Sequence, residues 1–154
     1  MPWNLKQDLI FGKRNEKKLV HYLNTHECKD DPVALYENER NQLDMRNTKF
    51  IGEQKTRNCN HNSYPDTMFG YNKIIFLRGL NEIREFKFYF LFYDGLYVWD
   101  FNEAEFTVRD FYHQERGVID QSYVDMKYLK LVDANLKNDG TYPPEITSNV
   151  SQRS

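Results

Sequence analysis

The sequence predicts an α/β domain, a central mixed β-sheet flanked by helices with extra strands toward the C-terminus. Three observations carry that expectation. The chain runs through a helical stretch, three short extended segments, a second helical stretch and then several strands, an order that suits a layered sheet. Residues 86–93 are apolar at nearly every position, as a central strand covered on both faces is. Finally, 154 residues are enough for one layered core but not for two domains.

Residues 13–25 have helical spacing, with Leu19, Val20 and Leu23 in one apolar stripe and Lys17, Lys18 and Asn24 off it. Glu16 precedes these three by three, four and seven positions and shares their stripe. An unpaired buried carboxylate is costly, so an acid there is unusual. The plain alternative is a helix-start acid favoured by the macrodipole. Residues 26–32 are polar and close on the turn Asp31-Pro32. A short strand is expected at 33–36, and a hairpin at 43–45 and 50–55 turning through Arg46-Asn47-Thr48. Residues 58–63 form a polar loop.

A second helix is expected from Asp66 or Thr67 to Leu80, capped by one of those two residues, with Met68, Tyr71, Ile75 and Leu77 inward. Gly70 and the pair Ile74-Ile75 weigh against it. Residues 86–93 and 96–101, joined at Asp94-Gly95, read as a hairpin with a type I′ turn. A turn at Asn102-Glu103 leads to a strand at 106–111. Residues 124–132 suggest an edge strand whose Lys127 and Lys130 discourage association. Residues 1–139 are thus expected as a single domain and 140–154, with Pro143-Pro144, as a disordered polar tail.

Aromatic residues make up 16% of the chain, and 11 Phe with 11 Tyr supply most of the burial. The 21 basic and 23 acidic residues nearly cancel, so overall charge does not favour nucleic-acid binding, and a nucleic-acid partner would have to meet local basic groups. Cys28 and Cys59 fit no zinc spacing, and free thiols in a reducing compartment are expected. No targeting segment or membrane span is visible, which predicts a soluble intracellular protein without a membrane partner.

The chemistry concentrates between residues 43 and 57. An extended segment at 50–55 puts Ile51, Glu53 and Lys55 on one face. A hairpin returns Asp44 to that face, so two carboxylates converge with an ammonium beside them. Carboxylate oxygens suit a hard divalent cation, and a lysine suits an anionic scissile group. The tripeptide E-x-K alone is weak in a chain that is 29% charged, and it recurs at Glu16-Lys17-Lys18 and Glu85-Phe86-Lys87. The first of these sits on a helix, where residues two apart do not share a face. The second has no acid nine to twenty residues upstream except Asp66, which is expected at a helix start. Only Glu53-Gln54-Lys55 combines a strand, a hairpin-spaced Asp44 and a following Thr56-Arg57. The plain alternative is a set of solvated hairpin charges.

This pattern resembles the PD-(D/E)xK nuclease superfamily, with Asp44 as the first acid and Glu53-Gln54-Lys55 as the tripeptide. It looks closest to small Holliday-junction-resolvase-like endonucleases of archaea, phages and large DNA viruses. Gln42-Leu43 stand where the proline of the motif is expected. The resemblance implies a restriction-endonuclease-like fold and Mg²⁺- or Mn²⁺-dependent hydrolysis of DNA, with branched DNA as a substrate and a homodimer as the acting form. It implies metal ligation by Asp44, Glu53 and the Gln54 carbonyl, with Glu16 from the first helix completing the site, and catalysis by Lys55. Arg57, Asn58, Ser63 and Lys73 are then candidate nucleic-acid contacts, and Arg116 a weaker one; a solvated helix lysine is the plain reading of Lys73. The competing class is an inactive nuclease-fold protein that binds nucleic acid or another protein without chemistry.

Overall fold

Phenylalanines at every second position give the strand β5 (Glu85–Phe92) one apolar face and Tyr89 with Leu91 give it the other, and the fold is built around it. In the computed structural model, residues 5–36 and 43–138 are described, with side chains from residue 12. A long helix, α1 (Leu5–His26), leads into β1 (Ala34–Leu35), β2 (Met45–Arg46) and β3 (Phe50–Thr56). Next come β4 (Asp66–Gly70), α2 (Tyr71–Gly79) and β5, then β6 (Gly95–Asp100), β7 (Phe106–His113) and β8 (Gly117–Asp125). A 3-10 turn at Met126–Tyr128 precedes β9 (Lys130–Asp133). The expected tail at 140–154 lies outside the described residues.

Two sheets result. The larger is mixed, in the order β1-β2-β3-β5-β6-β9, and the smaller is antiparallel, in the order β4-β8-β7. Among the described residues, only β3 and β5 pair in parallel, from Phe50↔Glu85 to Thr56↔Leu91. A parallel pair cannot be joined by a tight turn, so the chain crosses over through β4 and α2. Phe88, Phe90 and Phe92 face this crossover side, with Ile51, Phe69, Ile74, Leu77 and Trp99. Tyr89 and Leu91 face the opposite side and meet Leu19 and Leu23 of α1, together with Met45 and Phe50. The mixed sheet is therefore a middle layer, with α1 on one face and α2 with the small sheet on the other. Among the described residues, no helix is long and apolar enough to cross a membrane.

The second helix departs from expectation. Asp66–Gly70 is a strand, paired from Asp66↔Asp125 to Gly70↔Gln121, with Thr67 and Phe69 buried. Its partner β8 lies some fifty residues downstream in sequence, so no local pattern announces it. Helix α2 begins at Tyr71 with Gly70 as an N-cap that makes no side-chain bond, so neither Asp66 nor Thr67 caps it. The later start turns the helix so that Ile74 and Leu77 are buried while Ile75 is exposed.

Two smaller corrections follow from the later strands. The β5–β6 loop is Tyr93-Asp94, closed by the pair Phe92↔Gly95. Among the described residues only glycines have positive φ, Gly95 at 151° one of them, so Tyr93-Asp94 is not a type I′ turn. Added atoms at Gly95 would also crowd the Asp133 carbonyl at 3.1 Å. Residues 124–132 are not one strand: Val124 and Asp125 end β8, and the edge strand is the shorter β9. Cys28 and Cys59 are both free thiols.

Candidate active site

Asn47 fixes the hairpin that carries the acids. Its side-chain oxygen accepts from the backbone N–H groups of Lys49 and Phe50, both at 2.9 Å. Its amide nitrogen donates to the Asp31 carbonyl at 3.1 Å, and Thr48 Oγ1 donates to Asp31 Oδ2 at 2.7 Å. The register that follows is Met45↔Gly52 and Arg46↔Ile51. Gly52 keeps the strands close, since a β-carbon there would stand 3.0 Å from Met45 Cγ.

This register delivers Asp44 to Glu53. Asp44 N–H donates to the Gly52 carbonyl at 3.0 Å, and its own carbonyl accepts from Tyr36 N–H at 2.9 Å. Past the paired part of β2, the Asp44 side chain takes over the strand's role: Oδ2 accepts from Gln54 N–H at 2.8 Å. Backbone groups two residues apart point the same way, so Gln54 turns its N–H and carbonyl toward the Asp44 side.

Glu53 is 3% exposed, and its carboxyl lies within hydrogen-bonding reach of Asp44. Burial, and then the adjacent Asp44, push the Glu53 pKa well above the usual carboxylate range, against the pull of Lys55 and Lys73. Lys73 Nζ sits 3.0 Å from Glu53 Oε2, and Lys55 Nζ sits 4.0 Å from Oε1. Although paired in charge, Oε2 is buried and accepts no hydrogen bond of regular geometry. Lys73, which is only 16% exposed, is therefore not the solvated helix lysine of the plain reading. Residue type and spacing alone did not single it out; the start of α2 at Tyr71 places it over Glu53.

Glu16 reaches the same neighbourhood from α1, held there by the packing of Leu19 and Leu23. Burial first, then the charge of Asp44, raise its pKa to about 7, while Lys13, Lys55 and Lys73 act the other way. Three acids and two site lysines thus share one electrostatic environment. Among the described residues, no three His, Cys, Asp or Glu side chains form a group that could hold a metal ion.

The chain matches no family model, no curated protein and no solved structure.

The other sequence candidates separate from the carboxylate pair. Arg57 is turned into the protein, donating Nε to Thr67 Oγ1 at 3.3 Å and Nη2 to the Met68 carbonyl, with its guanidinium over the Phe90 ring. Asn58 is exposed and accepts from Asn138 Nδ2 at 2.9 Å. Ser63 is exposed in the loop after β3, its N–H donating to the Asn60 carbonyl. Arg116 lies at the exposed β7–β8 turn. Lys87, of the other strand-borne E-x-K, pairs with Asp100 at 2.6 Å across the hairpin.

Proposed function

We propose that this chain is a metal-dependent endonuclease that hydrolyses DNA phosphodiester bonds, with the restriction-endonuclease-like fold of the superfamily it resembles. The observation that carries the reading is the placement of Asp44, whose Oδ2 accepts from Gln54 N–H at 2.8 Å, beside the buried Glu53, with Lys55 and Lys73 at 4.0 and 3.0 Å from the Glu53 carboxyl. The order α1-β1-β2-β3, followed by a crossover through β4 and α2 to the parallel β5, supports it, because it sets the tripeptide on a central strand.

The residues fit a divalent cation. Two touching carboxyls cannot both ionise cheaply without one. Glu53 Oε2, buried and 3.0 Å from the Lys73 ammonium, already faces positive charge and is an acceptor that a cation could take in its place. Asp44, Glu53 and the Gln54 carbonyl would hold Mg²⁺ or Mn²⁺, with Glu16 contributing through a bound water. The cation, when bound, acidifies a water and stabilises charge developing on the phosphate. Lys55 orients the attacking water and offsets negative charge at the phosphoryl oxygens. With a cation held by the acids, Lys73 would be placed to turn from Glu53 toward a substrate phosphate. Branched DNA is the proposed substrate, and cutting both strands of a junction needs two sites, which a homodimer would supply.

Lys55→Ala is expected to abolish Mg²⁺-dependent nicking of four-way junction, flap, duplex and single-stranded DNA while far-UV circular dichroism stays unchanged. Normal nicking by that variant would sink the assignment. One observation favours a second reading, an inactive nuclease-fold binding protein: the Lys73 ammonium, 3.0 Å from Glu53 Oε2, stands where a cation on this acid would have to compete with it. Calorimetry separates the two, since an active site binds Mg²⁺ or Mn²⁺ in a manner lost in Asp44→Asn.

A further inference from the structure

Beyond Lys55, the face of β3 that carries the site continues into a cavity. Arg57 N–H donates to the Leu91 carbonyl at 2.8 Å, which extends the parallel ladder past the end of β3. Arg57 therefore shares the face of Glu53 and Lys55, roughly 7 Å along from Lys55 at the rise of a strand. There it walls a cavity of about 540 Å³ between the two sheets, a size in the usual range for small-ligand pockets. Phe111 and Tyr123 line it with partly exposed rings, Tyr123 also carrying the Arg109 guanidinium at 3.6 Å from its centroid. Phe92 lies buried behind at 2% exposure, and Tyr64, 65% exposed, stands at its edge.

The polar groups are few and fixed. Arg57 spends Nε and Nη2 on β4, but Nη1 donates to no described acceptor, and no described carboxylate pairs with it. Asp66, the acid lining the cavity, is engaged instead by Arg109 at 2.6 Å. A largely buried guanidinium without a counter-charge is costly, and an anion at Nη1 would offset that cost. His61 is held by Asp94, which accepts from its backbone N–H at 2.9 Å and faces its Nδ1 at 2.5 Å. Its ring stacks on Tyr97, which leaves Nε2 as its remaining polar atom.

We infer that this cavity is a pocket for one unpaired nucleotide of the strand being cut, its base against the aromatic walls and its phosphate at Arg57 Nη1. The inference rests on the nuclease reading and narrows its substrate. A base inside a duplex must be unstacked and unpaired before it can enter, whereas one at a branch, flap or single-stranded segment enters without that cost. Aromatic walls take any base, because every base has a stacking face. A free mononucleotide has the same chemistry, so the test separates the two sources.

Binding of a labelled single-stranded oligonucleotide and a blunt duplex is measured by fluorescence anisotropy in chelator, so that the strands stay intact. The single strand is expected to bind more tightly than the duplex. Tyr64→Ala should weaken single-strand binding by about tenfold, the scale of one lost stacking contact, and Tyr64→Phe should restore it. Tyr64 is surface-exposed, so this substitution leaves the fold intact. Single-strand affinity unchanged in Tyr64→Ala overturns the pocket, as does tighter binding of the blunt duplex. A 5′-mononucleotide that binds as tightly as the oligonucleotide overturns the assignment to a strand. Cleavage by wild type in Mg²⁺, run beside these titrations, separates the two readings. Tyr64-dependent binding without cleavage removes the nuclease and keeps the pocket; cleavage with Tyr64-independent binding removes the pocket alone.

Discussion

Glu53 and Glu16 are acids whose surroundings oppose their ionisation, and that sets a pH dependence. Glu16 ionises near 4.5 when unfolded and at about 7 in the fold. The folded state holds this proton longer, so the stability it contributes is complete below pH 4.5 and is lost as pH rises through about 7. Metal-free protein is expected to lose melting temperature across that window, and Glu16→Gln to lose less. Parallel melting curves for the two proteins would contradict the raised carboxyl. Metal binding runs the opposite way, because the acids must be ionised to serve a cation. Mg²⁺ affinity by calorimetry should therefore strengthen from pH 6 to 8 in wild type, and more weakly in Glu16→Gln.

The hairpin of β2 and β3 is the element on which the site depends, and Asn47 is its fastening. Removing that side chain leaves the Lys49 and Phe50 N–H groups without their acceptor, and Phe50 is buried. Asn47→Ala is expected to cost about 1–3 kcal/mol in urea unfolding. It should also weaken Mg²⁺ binding, although Asn47 touches neither acid. A variant that loses stability but binds Mg²⁺ normally would show that the hairpin register survives without this turn. Gly52 answers to the same geometry. Gly52→Val is expected to cost about 1–3 kcal/mol, because the added methyls press on Met45 and Phe50.

Across the molecule, the two sheets are joined by an aromatic cluster centred on Trp99. Its ring meets Phe69, Phe88, Phe101 and Phe106 at centroid distances of 5.6, 5.4, 5.6 and 6.2 Å, and its indole N–H donates to Glu105 at 3.0 Å. Phe69 belongs to the small sheet and Phe88 to the large one, so this cluster couples the layer above the site to the strand beneath it. Trp99→Ala is expected to cost about 3–5 kcal/mol by denaturant titration. Its melting should remain a single transition if the sheets form one cooperative unit. Two separate transitions would mean that the small sheet folds apart from the large one.

Short-range chemistry was readable directly from the residues. Alternating phenylalanines marked β5 as a covered strand, Leu19 and Leu23 marked the buried face of α1, and the spacing of Asp44, Glu53 and Lys55 brought an acid pair and a lysine together. These features depend on periods of two and 3.6 residues and on one tight hairpin, which neighbouring side chains encode. Pairing between distant segments was hidden. Asp66–Gly70 became a strand because β8 supplied its backbone partners, and that pairing moved the start of α2 and carried Lys73 over Glu53. Arg57 turned inward for the same reason, since its acceptors on β4 exist only once the small sheet has formed. Local sequence sets where a backbone prefers to bend, but hydrogen-bond partners fifty residues away choose between helix and strand when that preference is weak.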